Sequence, residues 1–125
     1  MFPLVFPLDY NIPASLMIVT LLFIVLDILV GLVKAFSTVG FKSLKMREGL
    51  FHKLGEVLCV LFGVVCEISF PLVGITINLP IVSTICIYIV LMETGSIIEN
   101  LAVISPNIKS MLGKVFGSYK NEDEE

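Results

Sequence analysis

Three long apolar stretches alternate along this chain with shorter segments that hold most of its polar residues. A helix needs about 20 mainly apolar residues to cross roughly 30 Å of hydrocarbon. The stretches at about 14–36, 53–72 and 80–103 meet that length and predict three transmembrane helices. Pro13 and Pro80 stand where the first and third would start, a position at which the missing N–H is no loss. Pro106 marks an end, because the residue before a proline leaves the helical region. Beyond it Ile108, Met111, Leu112, Val115 and Phe116 recur at intervals of three and four, flanked by Lys109 and Lys114. That pattern predicts a short amphipathic helix over 107–117, lying on anionic lipid or packed against the spans. The expected fold is therefore an all-α membrane protein with three transmembrane helices plus a short C-terminal amphipathic helix, a single domain over 1–125 whose tail, 106–125, is cytoplasmic.

Charge orients the spans. Lys34, Lys42, Lys45, Arg47 and Lys53 lie around the first connection, and Lys109, Lys114 and Lys120 follow the third stretch. Residues 70–81, between the second and third, carry no charge. Short cytoplasmic loops retain basic residues, so the N-terminus and second loop are expected outside, and the first loop and C-terminus in the cytoplasm. Residues 1–13 have no basic start of the signal-peptide kind, and the apolar segment after them is too long for a signal core, so the first span is expected to stay as an anchor.

Composition narrows the function. Of 125 residues, 57% are hydrophobic, against roughly 45–50% in soluble domains. Three spans use about half the chain and leave no room for a soluble catalytic domain. The net charge of −3 comes partly from the acidic run at 122–125, read as a solvated end. Cys59, Cys66 and Cys86 all fall inside spans, with neither a CxxC pair nor a Cys/His metal spacing, and read as small buried hydrophobes. His52 stands alone beside Lys53 at an expected membrane edge. No nucleophile–base set and no phosphate-binding glycine loop occurs, so no enzyme, metal, cofactor or nucleic-acid partner is expected.

The polar residues inside the spans carry the functional signal. Asp27 lies deep in the first, Glu56 and Glu67 in the second, and Glu93, Ser96, Glu99 and Asn100 in the third. A charge at the bilayer centre costs about 2.5–3.5 kcal/mol on insertion scales, so such groups turn toward partners or water. At about 100° per residue, Thr20, Asp27, Gly31 and Lys34 share one face, as do Glu56, Gly63 and Glu67, and Glu93, Ser96 and Asn100. Glu99 sits on the flank of the last. Each span thus carries one polar stripe, and Asp27, Glu67, Glu93, Ser96, Glu99 and Asn100 are the candidates for an interior or lumen face. No Lys or Arg is expected at the depth of Asp27, Glu67 and Glu93. Lys34 and Lys53 are expected at the inner interface as anchors, in reach of Glu56 and Glu99. Without a cation at their own depth, the deep acids would be protonated in a dry bundle or ionised in a wet lumen, and both states are expected, before and after assembly. Gly31 and Ala35, and Gly55, Cys59 and Gly63, recur at intervals of four, which suits close helix packing.

These residues resemble a known family. The Asp27…Gly31…Lys34-Ala35 element, Ser43 and Gly49…Lys53, and Tyr88…Glu93…Ser96-Ile97…Glu99-Asn100 followed by Pro106 are similar to the bacteriophage holins, including the toxin-secretion holins of clostridia. The likeness runs over about residues 20–110, and Glu-x-x-Ser-Ile-x-Glu-Asn is its most specific part. It implies a homo-oligomer in the bacterial inner membrane that opens lesions releasing an endolysin or an exported toxin. The competing readings are a membrane scaffold or accessory subunit with no pore, a small ion- or proton-coupled transporter, and a pore-forming effector in defence against phage.

Overall fold

The computed structural model describes residues 13–38 and 43–116. The acidic run at 122–125 and the segment before Pro13 lie outside them. Four helices follow in order: α1 (Ala14–Ser37), α2 (Ser43–Leu72), α3 (Ile81–Ile104) and α4 (Pro106–Phe116). No strand occurs among the described residues. The first three are long and apolar enough to cross a membrane, by length and composition.

Two of the expected spans match their helices to within a residue or so, whereas α2 begins ten residues earlier than the apolar stretch that marked it. Residues 43–52 are rich in Leu, Lys, Met, Arg and Glu, all good helix formers, and contain no proline. The helix therefore starts before its hydrophobicity does. Its 30 residues span about 45 Å at 1.5 Å each, against about 36 Å for α1 and α3.

Local chemistry ends each helix. The Thr38 N–H and the hydroxyls of Ser37 and Thr38 all donate to the Lys34 carbonyl at 2.9–3.0 Å, closing α1. At the far end of α2, the Ile75 N–H donates to the Phe70 carbonyl and the Gly74 N–H to that of Pro71, at 2.9 and 3.2 Å. This pair of bonds is a Schellman motif, and Gly74, at φ +80°, takes the left-handed position that it requires. Ser105 separates α3 from α4, whose first helical position is Pro106.

α1 and α3 pack most extensively on each other, α2 lies mainly against α3, and α2 touches α1 least. Ile24, Val60, Val82, Cys86 and Ile89 form the apolar centre, flanked by Leu16, Met17, Ile28, Val57, Val64 and Ile85. α2 and α3 are in close contact at Gly63, where an added Cβ would stand 2.7 Å from Ile85 Cδ1. The outward faces remain apolar, with Leu22, Leu29, Leu58, Phe62, Tyr88 and Leu91 all exposed. Such an exterior suits acyl chains.

Candidate functional site

One side chain organises the interior polar residues. Lys53 Nζ lies 2.6 Å from Asp27 Oδ2 on α1 and 2.6 Å from both Glu93 carboxylate oxygens on α3. It also approaches Glu56 Oε1, one turn along its own helix, at 3.7 Å. Asp27 and Glu93 are almost wholly enclosed, at 5% and 2% side-chain exposure, and Lys53 retains 16%. A polar string leads away from this centre. Asn100 Nδ2 donates to Asp27 Oδ1 at 3.4 Å, and Lys34 Nζ donates to Asn100 Oδ1 at 3.3 Å. Lys34 follows Asp27 by seven residues and Asn100 follows Glu93 by seven, so the string extends about 10 Å along the helix axes.

This geometry corrects the expectation that no cation shares the depth of Asp27 and Glu93. Because α2 starts at Ser43, Lys53 is its eleventh residue and stands level with the middles of α1 and α3. It is enclosed by acids rather than held at a helix end. Lys34 does lie near the end of its helix, but its bond is to Asn100 and not to an acid.

Glu67 does something the stripe pattern did not suggest. Its Oε1 accepts the backbone N–H of Val82 at 3.1 Å, in the first turn of α3. The four leading N–H groups of a helix have no partner within it, and a carboxylate there also meets the positive end of the helix dipole. A side chain of α2 therefore caps α3, where Pro80 offers no capping group of its own. Ser96 and Asn100 are half-buried and Glu99 is exposed. Glu56 is 8% exposed, yet among the described residues neither of its carboxylate oxygens has a hydrogen-bond partner, the nearest cations there being Lys53 and His52 Nε2 at 3.7 and 3.9 Å.

The small residues divide. Gly63 is a close contact, and a Cβ on Gly31 would meet Asn100 Nδ2 at 3.9 Å. Ala35 is half-buried, whereas Gly55 and Cys59 are exposed and Gly55 has nothing within 4 Å of its Cβ position. A four-residue step turns a helix by about 40° beyond a full revolution, so the series rotates off the packed face.

A bundle that is greasy outside and ionic at its centre has a counterpart among known sequences: residues 8–121 match the bacteriophage holin family. The chain belongs to that family. It is thus a multi-pass membrane protein of the phage-lysis type, which agrees with its three apolar helices. No curated protein and no solved structure matches the chain. Within the matched range, Glu93 of α3 is buried and Ser96 and Asn100 are half-buried, whereas Glu99 is exposed.

Proposed function

We propose that this holin accumulates in the bacterial cytoplasmic membrane, associates with copies of itself and opens lesions through which an endolysin or an exported toxin passes. The observation that carries the reading is the ionic seam of Asp27, Lys53, Glu56 and Glu93, enclosed by helices whose outer faces are apolar. A subunit with that construction is compatible with lipid while dispersed. Once turned to face water, the same seam can line an aqueous lumen, where charged groups are cheap.

In that lumen Asp27, Glu93, Ser96 and Asn100 form the lining, Glu67 joins it nearer the outer end, and Glu99 lies at its flank. Lys34 stays near the inner headgroups, and the basic loop and C-terminus are cytoplasmic, with the N-terminus outside. Gly31, Ala35, Gly55, Cys59 and Gly63 supply close helix contacts, the exposed Gly55 and Cys59 between subunits. The test is inducible expression in a bacterium with a membrane-impermeant dye and a potential-sensitive dye. Abrupt depolarisation and dye entry after a lag are expected. Sustained growth without depolarisation at high membrane abundance would rule the pore out.

A further inference from the structure

We infer that α2 is the moving element of this bundle and that Lys53 is the latch holding it shut. The inference rests on the pore reading and says which part of the subunit opens. α1 and α3 form the most extensive pair, and α2 is joined mainly to α3. The hold on α2 is unevenly spread along its length. Toward its outer end Gly63 meets Ile85 and Val82, Glu67 caps α3, and the Gly74 turn leads on to α3. The buried residues of α2 begin only at Glu56, and along residues 43–52 Leu44, Leu50 and Phe51 are all exposed. Between these regions the polar tie from α2 to α1 and α3 is Lys53, reaching Asp27 and Glu93 at once.

Such a lever has its pivot at the Gly74 turn and its less tightly packed end at Ser43, joined to α1 through residues 38–42. Rotation about the pivot displaces Lys53 before it disturbs Gly63, since Lys53 is the farther from the turn. The motion uncovers Asp27, Glu93 and Asn100 on the α1–α3 pair and swings Lys53 and Glu56 out on α2. In a lipid-filled surrounding that exposure is heavily penalised, so the latch holds in a lone subunit. In an assembly, where several copies turn the uncovered faces to one another, water enters and the penalty falls. Glu56 biases the balance toward opening, because its two buried oxygens gain hydrogen bonds only when the seam is wetted.

Two experiments test the latch. In the first, the charge-neutral variant Asp27→Asn/Lys53→Met/Glu56→Gln/Glu93→Gln removes the clasp without leaving any acid of the cluster buried without Lys53. Depolarisation is expected several-fold sooner than in the parent at equal membrane abundance, and an unchanged or later onset overturns the latch. In the second, Ser96→Cys, on the seam face of α3, is introduced after Cys59, Cys66 and Cys86 are replaced by Ala. A membrane-impermeant maleimide should label it poorly during the lag and several-fold faster at onset. Equal labelling before and after means that the seam never opens, and the latch fails. If the neutral variant does not accumulate, the labelling decides alone. A parent that never leaks removes the pore reading, while a rise in labelling as the protein accumulates would still support the latch.

Discussion

Replacing Lys53 with Met takes one cation from between two enclosed carboxylates and returns a chain of similar length and bulk. Asp27 and Glu93, each 2.6 Å from the ammonium, are left at 5% and 2% exposure with no other cation within ion-pair distance among the described residues. Removing one partner of a buried ion pair costs about 3–5 kcal/mol, since the remaining charge stays buried without compensation. Lys53→Met should therefore lose about 3–5 kcal/mol. Adding Asp27→Asn, Glu56→Gln and Glu93→Gln removes the stranded charges, and the fully neutral variant should return to within about 1 kcal/mol of the parent. The measurement is helicity of the purified protein by far-ultraviolet circular dichroism as micelles are titrated with dodecyl sulfate. A Lys53→Met midpoint equal to the parent's, or a fully neutral variant no better than Lys53→Met, would refute the central ion cluster.

Three other substitutions probe separate parts of the bundle in the same titration. Glu67→Ala should cost about 1 kcal/mol through loss of the α3 cap, with Glu67→Gln recovering most of it because an amide oxygen still accepts the Val82 N–H; equal losses would contradict the cap. Gly63→Val should cost about 1–3 kcal/mol by driving Ile85 off its position, whereas Gly55→Ala, with open space around it, should stay within about 0.5 kcal/mol in the dispersed subunit. Should Gly55→Ala nevertheless delay leakage, that face of α2 is a contact between subunits. Gly74→Ala should cost about 1 kcal/mol, since its φ of +80° is unfavourable for a residue with a Cβ, and a neutral result would mean that the turn adapts.

The spans were legible because hydrocarbon imposes a length and an apolarity that few other constraints imitate. α1 and α3 follow their apolar stretches closely for this reason. α2 does not, because a helix stops where hydrogen bonding and propensity fail, and residues 43–52 fail in neither. That shift of ten residues hid the main feature of the site. With α2 taken to start at residue 53, Lys53 reads as an interfacial anchor, but in the full helix it lies among acids. The signal that could have shown it was the Lys53–Glu56 spacing of three on an uninterrupted helix, with Asp27 and Glu93 unpaired at matching depth. The seam faces of α1 and α3 were readable from helical periodicity. The capping role of Glu67 was not, since it depends on where α3 begins in space relative to α2.

On the proposed reading, the location of the charges bears on why this design suits a protein that opens only after a delay. A seam made only of serine or asparagine could be wetted or dried at small cost, and a lone acid would be neutralised by a proton and become inert glue. Three acids gathered on one lysine behave differently. The ammonium lies 2.6 Å from two of the acids and 3.7 Å from the third, so the cluster is held together yet that third acid, Glu56, lacks a hydrogen-bond donor among the described residues. Breaking the short contacts in lipid strands charge, which makes a solitary subunit slow to open, whereas breaking them against water satisfies every oxygen, including those of Glu56. On the proposed reading the same residues therefore oppose opening when copies are few and favour it when copies are many. A delay followed by an abrupt onset then needs no separate trigger beyond the density at which neighbouring seams can share water.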